Sequence, residues 1–395
     1  MGLLYAAVIG FFLFLIGERL LVRLARKHFD LVIHVNGTRG KSTVTRMIHA
    51  LLRANDMEVF GKTTGSAARL LLPDGTEKPV LRFAPANIRE QRNVMIASAF
   101  TGTRKQRALV FECNAVKEEL QYTSMEWLQP DITVITNVRD DHTDELGSME
   151  QAARIFAAAI PGGSALVTSE CAFADVWETL ALQKNLRLCY VDPQEAADFA
   201  FPENAACVLG VADLLGIDRN TAEQSIAAHK PDIGAFTVYR WKENDRTVFF
   251  ADARAANDIE STQRLFTAAS QMVNKQIADF EKAEKYRRIL LLINREDRPD
   301  RSEMFMRYIA AQHRESMFDE YVCMGHAPLA FRSALKRENV PCKVARNIRD
   351  FQREMFESSQ QPLFIFAVGN FGGKGKQITQ WLTAKQRLPD CKVEQ

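Results

Sequence analysis

The sequence predicts an α/β protein: an apolar N-terminal helix, a first domain on a mostly parallel sheet, and a smaller C-terminal α/β domain. Three observations carry this prediction. Short apolar runs of strand length recur along the chain, each closing on polar or glycine residues before a stretch of helical periodicity. One of them, Leu31 to Val35, runs into Asn36-Gly37-Thr38-Arg39-Gly40-Lys41-Ser42-Thr43, a glycine turn that opens a helix. Residues 2–17 carry no charge, and Arg19, Arg23, Arg26 and Lys27 follow at once.

Composition sets the frame. With 395 residues, 47% hydrophobic and 25% charged, the chain has room for about two or three domains, each with its own core. A net charge of +2 gives no reason to expect a nucleic-acid partner. The seven cysteines (Cys113, Cys171, Cys189, Cys207, Cys323, Cys342 and Cys391) are odd in number, scattered, and form no CxxC pair. That predicts reduced thiols rather than a disulfide framework or a thiolate zinc site. No internal repeat or low-complexity tract stands out.

The first segment reads GLLYAAVIGFFLFLIG. A secretory signal puts its positive charges before the apolar run and ends in small residues; this segment does neither. Leu20, Leu21, Val22 and Leu24 extend the apolar surface while the arginines snorkel, which brings the helix to spanning length. The charge placement predicts a single-pass anchor in the cell membrane over residues 1–28, with the domains after it in the cytoplasm. A buried or interfacial amphipathic helix is the competing reading.

The helix after the glycine turn runs from about Ser42 to Asn55, with Val44, Met47, Ile48, Leu51 and Leu52 on one face. Strand, glycine turn, Lys-Ser and helix make the layout that aims backbone N–H groups and a helix N-terminus at a phosphate. The spacing is G-x-x-G-K-S; the commoner phosphate loop has a glycine where this chain has Val35. Asn36 through Thr43 are therefore candidate nucleotide-binding residues, Lys41 for the terminal phosphates and Ser42 for Mg²⁺. The bland alternative is a glycine-rich turn capped by Ser42.

Two further strands close on candidate metal ligands. Ala108 to Phe111 ends at Glu112, and Asp131 to Thr136 ends in Asn137-Val138-Arg139-Asp140-Asp141-His142-Thr143-Asp144. Open α/β sheets bind their ligands just beyond the carboxyl ends of such strands, so Glu112 and His142 can face the loop and hold Mg²⁺, directly or through water. Taken alone, His142 among three aspartates reads as readily as a solvated loop. Between Gly61 and Glu112 the chain is rich in Gly, Thr and Arg, including Lys62-Thr63-Thr64-Gly65, Arg82, Arg89 and Arg92. This stretch is either an anion-binding wall for a carboxylate-rich substrate or a solvated surface.

A Pro/Gly break at Lys230-Pro231-Asp232-Ile233-Gly234 predicts a boundary between domains at 31–232 and 236–395. Beyond it, Val248 to Ala251 runs into Asp252-Ala253-Arg254-Ala255-Ala256-Asn257-Asp258, and Ile289 to Ile293 into Asn294-Arg295-Glu296-Asp297-Arg298. Tyr321 to Met324 runs into Gly325-His326, and Phe364 to Val368 into Gly369-Asn370-Phe371-Gly372-Gly373-Lys374-Gly375. The bland reading of the last turn is a tight strand-to-helix connection.

These residues resemble a family. Gly37-Thr38-Arg39-Gly40-Lys41-Ser42 is similar to the G-T-x-G-K-[TS] loop of Mur-type ligases, the ATP-dependent amide synthetases of peptidoglycan and folylpolyglutamate synthesis. Glu112 falls where that family has a metal-binding glutamate, and Asn137 to Asp144 resembles its N-x-x-x-D-H-x-D segment, whose histidine, here His142, is a metal ligand. Asp252 to Asn257 resembles the C-terminal motif in which an acidic residue meets the nucleotide and a basic one, here Arg254, approaches the phosphates. The resemblance, over residues 31–395, implies a P-loop Mur ligase-like central domain and a smaller Rossmann-like C-terminal domain. Many members use a carbamylated lysine on the helix after the His-Asp segment; here Lys184 is the only lysine between Lys117 and Lys230. A membrane segment where a precursor-binding domain usually stands, together with Asn-Gly-Thr-Arg-Gly-Lys-Ser, resembles the ligase subunit of poly-γ-glutamate synthases (the PgsB/CapB type).

That resemblance implies ATP and Mg²⁺ as cofactors, glutamate and a growing polyglutamate chain as substrates, and membrane-bound partner subunits, with a homo-oligomer possible. ATP would phosphorylate the terminal carboxylate, and the next glutamate's amine would attack the acyl phosphate, releasing ADP and phosphate rather than AMP. Lys41, His142 and Arg254 are the expected catalytic residues. Asn36, Gly37, Thr38, Arg39, Gly40, Lys41, Ser42, Thr43, Asp252 and Asn257 are expected around the nucleotide, and Ser42, Glu112 and His142 around the metal. Arginines near 82–92 and 295–301 are candidates for substrate carboxylates. Folylpolyglutamate synthetase, another Mur-like ligase, and a membrane-anchored P-loop ATPase driving export remain rival readings.

Overall fold

A computed structural model describes residues 2–64, 68–80, 87–102, 106–115, 117–139, 146–199, 201–229, 236–243, 246–256, 258–278, 286–296, 299–356, 361–383 and 385–387. The chain divides into two compact units, Met1–Asp232 and Ile233–Gln395. The expected linker residues 230–234 lie outside the described residues.

In the first unit, helix α1 (Gly2–Arg26) leads into strand β1 (Leu31–Asn36) and helix α2 (Lys41–Ala54). There follow β2 (Glu58–Thr63), the short strands β3 (Arg69–Leu71) and β4 (Glu77–Pro79), α3 (Arg89–Ala99), β5 (Arg107–Glu112) and α4 (Glu118–Leu128). The unit continues with β6 (Ile132–Ile135), α5 (Met149–Ala159), β7 (Ala165–Thr168), α6 (Ala174–Lys184), β8 (Arg187–Tyr190), α7 (Pro202–Leu215) and α8 (Arg219–Ala228). The eight strands form one sheet in the order β4-β3-β2-β5-β1-β6-β7-β8. It is parallel except for the edge hairpin β3–β4.

β1 is the hinge of this topology. It pairs in parallel with β5 on one side and β6 on the other, so its carboxyl end lies where the strand order reverses, the place an open sheet leaves a crevice. Every residue of β1 is buried, as the unbroken apolar run requires. Ile33 and Val35 face Val44, Ile48 and Leu51 of α2 and Val208 of α7, and Val32 faces Met95 of α3 and Leu128 of α4.

The N-terminal helix has two halves. From Leu4 to Ile16 its large apolar side chains stand in the open on all sides, and the helix is long and apolar enough to cross a membrane. Val22 and Ala25, by contrast, are buried with Phe29, Leu109, Phe111 and Leu128. Arg26 donates to the Gln129 carbonyl at 2.9 Å and to Asp131 at 2.9 Å, and Arg92 on α3 pairs with Glu18. The segment read as an anchor over 1–28 therefore enters the core of the first unit at its last turns.

The second unit contains β9 (Thr237–Glu243), β10 (Arg246–Asp252), α9 (Ile259–Ala278), β11 (Arg287–Asn294), α10 (Pro299–Arg314) and β12 (Glu320–Gly325). After these come α11 (Pro328–Arg337), β13 (Cys342–Ala345), α12 (Ile348–Phe356), β14 (Leu363–Gly369), α13 (Gly375–Leu382) and β15 (Gln386–Arg387). Its sheet runs β13-β12-β11-β14-β10-β9-β15, parallel through the middle, with β9 and β15 antiparallel at one edge. Phe266, Phe318, Phe364 and Phe366 fill one face, and Phe250, Phe351 and Trp381 the other.

Candidate active site

The glycine turn at the end of β1 is held by its neighbours rather than by itself. Gly37 has φ 119° and Gly40 φ 79°, left-handed conformations that favour glycine. A Cβ on Gly37 would lie 2.4 Å from Thr136 Oγ1, and one on Gly40 2.2 Å from Asn204 Oδ1 of α7. Asn36 Oδ1 accepts the Gly37 N–H at 2.8 Å, the Asn137 carbonyl accepts the Thr38 N–H at 2.9 Å, and Asn137 Oδ1 accepts the Arg39 N–H at 2.9 Å. Thr136 donates its hydroxyl to the Arg39 carbonyl at 2.6 Å.

The N–H groups of Gly37, Thr38 and Arg39 are thereby bonded within the scaffold, and the first turn of α2 presents backbone donors of its own. Any helix leaves those groups without intrahelical carbonyls, and its macrodipole adds partial positive charge there. Lys41 closes the turn by donating to the Gly37 and Thr38 carbonyls at 2.7 and 3.0 Å. Its ammonium stays at the lip of the loop, in reach of an anion that competes with those carbonyls. Thr43 stands half-buried one residue past Ser42.

Ser42 and Glu112 meet as the sequence predicts. The Ser42 hydroxyl donates to Glu112 Oε2 at 2.7 Å, and the same oxygen accepts the Thr64 N–H at 2.6 Å. Glu112 is buried, 3% exposed, at the carboxyl end of β5. A buried carboxylate with a hydroxyl beside it is a pair of hard oxygen donors, the chemistry that suits Mg²⁺. Among the described residues no cluster of three or more His, Cys, Asp and Glu side chains forms. His142, expected as a further ligand, lies outside the described residues, as do Asn257, Arg82 and Arg298.

Several expected residues are engaged elsewhere. Arg254 is fully buried and grips Asp252 with two bonds of 2.7 Å, donates to the Gly375 carbonyl at 2.6 Å, and lies 4.2 Å over the Phe371 ring. Asp252 and Arg254, expected at the nucleotide and its phosphates, neutralise each other inside their own unit. Arg92, a candidate for substrate carboxylates, pairs with Glu18 and stacks on Trp127 at 5.3 Å. Arg301 donates to the Ala256 carbonyl and, at 3.3 Å, to Asn370. Arg89 is exposed. Lys184 caps the end of α5 through the Ala158 and Ile160 carbonyls at 2.5 and 2.8 Å, so it is not the missing metal-site lysine. The six described cysteines are free thiols.

Thr64, named in the sequence only within a candidate anion-binding wall, acts through its backbone N–H on Glu112, and sequence reasoning passed over Thr136 and Asn204, which stand as walls against Gly37 and Gly40 and leave no motif. It also passed over a buried polar layer beneath the loop. There His34, fully buried, sits 3.3 Å from Ser124 Oγ, and burial pushes its imidazole down to about 3. Ser124 donates to Gln91 at 2.5 Å, and Gln91 donates to the Glu112 carbonyl at 3.0 Å.

Comparisons with known proteins bear on the same two units. Residues 35–206 match the Mur ligase middle domain, and residues 238–385 match the poly-gamma-glutamate synthase CapB C-terminal domain. The capsule biosynthesis protein CapB of Bacillus anthracis is 29% identical over 370 residues, 90% of this chain and 76% of that one. The PGA synthase CapB of Bacillus subtilis (strain 168) is 28% identical over 379 residues, 92% of this chain and 91% of that one. Among solved structures, a bifunctional folylpolyglutamate synthase/dihydrofolate synthase from Yersinia pestis, complexed with AMPPNP and Mn ion, shares the fold. Its TM-score is 0.62, with 14% identity over 93% of this chain and 92% of that one. The chain thus joins a region similar to the Mur ligase middle domain to a region similar to the poly-gamma-glutamate synthase CapB C-terminal domain.

Proposed function

We propose that this chain is an ATP-dependent amide ligase that polymerises glutamate into poly-γ-glutamate through an acyl phosphate. One observation carries the reading: the Ser42 hydroxyl and the buried Glu112 carboxylate meet 2.7 Å apart at the head of α2, beside Lys41. That arrangement suits the handling of phosphate charge, and the CapB C-terminal domain joined to it points to glutamate as the acid and amine.

The chemistry balances in two steps. The terminal carboxylate of the growing chain attacks the γ-phosphorus of ATP, the bond to the β-phosphate oxygen breaks, and ADP leaves. The amine of the next glutamate attacks the acyl carbon, phosphate leaves with the C–O electron pair, and the amine gives up a proton. Lys41 and the first-turn N–H groups of α2 stabilise charge that develops on the transferred phosphoryl and on the leaving ADP. Mg²⁺, when bound, supplies charge neutralisation at the phosphate oxygens. Ser42 and Glu112 are the residues that would hold it, with His142 proposed beside them on the family resemblance. The exposed half of α1 serves as a single-pass membrane anchor, with both units on the cytoplasmic side and membrane-bound subunits as partners.

The test is product analysis after incubating membranes that carry the chain with ATP, Mg²⁺ and labelled glutamate. The expected result is labelled polymer with one ADP per amide formed. AMP as the dominant nucleotide overturns the acyl phosphate, and ATP hydrolysis indifferent to glutamate favours an export ATPase. Labelled folate conjugates without free polymer favour the folylpolyglutamate reading. Glu112→Gln should raise the Mg²⁺ requirement steeply. Deleting residues 2–17, which spares Val22, Ala25 and Arg26, should move folded chain to the soluble fraction; full retention on membranes assigns the attachment to partners.

A further inference from the structure

We propose that Gln121 is a positioning residue for the phosphate loop. It ties the loop's first residue to the chain segment just past Glu112. The proposal rests on the nucleotide-binding part of the reading above and deepens it; nothing in the loop motif itself points to Gln121.

Gln121 lies on the inner face of α4 with Ser124, Met125 and Leu128, and none of its surface is exposed. Apolar packing alone would favour a leucine or methionine there, because an amide buried without partners is costly. Its partners are specific. The Gln121 carbonyl oxygen accepts the Asn36 Nδ2–H at 2.9 Å, and its Nε2 donates to the Ala115 carbonyl at 2.7 Å. Cys113 Sγ also approaches the same oxygen at 3.5 Å.

Each partner leads to one side of the site. Asn36 accepts the Gly37 N–H with its own Oδ1 at 2.8 Å, so the acceptor on Gln121 fixes which way the Asn36 amide points. That orientation in turn holds Gly37 in its left-handed conformation at φ 119°. Ala115 lies three residues past Glu112, and between them the Cys113 N–H donates to the Val35 carbonyl at 2.8 Å. One turn along α4, Ser124 reaches the Glu112 carbonyl through Gln91. The inner face of α4 thus holds the loop and the end of β5 in one register. That register sets the reach from Ser42 to Glu112. In a buried layer such bonds are strong, and a missing partner is felt by the whole chain of bonds.

The probe is Mg²⁺-ADP, titrated calorimetrically into the full chain, with thermal unfolding as the control for the fold. Gln121→Met keeps the shape and removes both bonds; the expected result is an affinity about tenfold weaker. Asn36→Ala should weaken binding to a similar degree, and the double variant should be no weaker than the worse single one. A purely structural role would lower stability without this coupling. Unchanged affinity in folded Gln121→Met, or additive losses in the double variant, overturns the proposal. Should Gln121→Met not fold, Gln121→Asn decides. It keeps the amide but is one methylene too short to meet Asn36 and Ala115 at once, so it should bind more weakly, and unaltered affinity overturns the proposal. A chain that binds Mg²⁺-ADP normally yet shows no glutamate-dependent turnover defeats the ligase reading alone and leaves this measurement standing.

Discussion

Each unit ends a central parallel strand in a glycine turn that carries a lysine and opens a helix, yet the two turns are committed differently. After β14, the turn Gly369 to Gly375 is closed by arginines of its own unit. Arg254 takes the Gly375 carbonyl at 2.6 Å, Arg301 takes Asn370 at 3.3 Å, and a Cβ on Gly372 would lie 2.3 Å from Arg295. After β1, Lys41 and Glu112 are not paired with each other. Lys41 caps two carbonyls, and Glu112 accepts only a hydroxyl and an amide through its Oε2. A glycine–lysine turn is therefore not a site by itself. It becomes one where the charge around it is left for a ligand to complete.

The largest effect should come from the two lysines. Lys41→Ala is expected to reduce glutamate-dependent ADP release on the order of a hundredfold to a thousandfold, as when a donor to developing charge is lost. Its thermal unfolding should stay close to that of the unaltered chain, since the side chain caps a loop at the surface of the core. Lys374→Ala should leave turnover within about threefold. Equal losses at both positions would break the comparison, because the closed turn would then be as reactive as the open one.

A second contrast lies in the buried pair. Arg254→Met leaves Asp252 charged at 5% exposure with no counterion. Removing one partner of such a pair typically costs about 3–5 kcal/mol. Hydrogen exchange in β10 and β14 should accelerate accordingly, and this change, not a weaker hold on Mg²⁺-ADP, should be the primary defect. If Arg254→Met keeps full protection in those strands while nucleotide affinity collapses, the arginine works on phosphate after all.

How much of this was legible in the sequence follows from what each residue acts through. The apolar runs of β1, β5, β11 and β14 read directly as buried strands because both faces of a parallel sheet are covered. Ser42 and Glu112 could be paired from sequence because a strand end and a helix start are fixed places in such a sheet. Arg254 could not be placed, because its spacing from Asp252 fits an outward cation as well as an inward pair. Gln121, Ser124 and Gln91 left no signal, since single polar residues on a helix look solvated until the facing strand is known. Val22 and Ala25 were hidden by continuity: the same helix is bare in its first half and buried in its last turns.

The smallest predicted effect concerns pH, and it too separates the units. His34 and His49 are both buried in the first unit, and burial holds their imidazoles down to about 3 and about 4. The described histidines of the second unit, His313 and His326, are not buried. A depressed basic group is neutral in the folded chain while its unfolded counterpart takes up a proton below about 6.5. Between those values the unfolded state binds more protons, so stability falls as pH falls. Because the folded value of His34 lies well below 5.5, the loss between pH 7 and pH 5.5 depends only on the unfolded imidazole and comes to about 1 kcal/mol per buried histidine. Urea unfolding of the unaltered chain and of His34→Gln at those two pH values measures it. The variant should lose less stability than the unaltered chain over that interval, by that amount. An identical loss in both would show that His34 gains its proton as readily folded as unfolded, and that the layer beneath the loop is open to water.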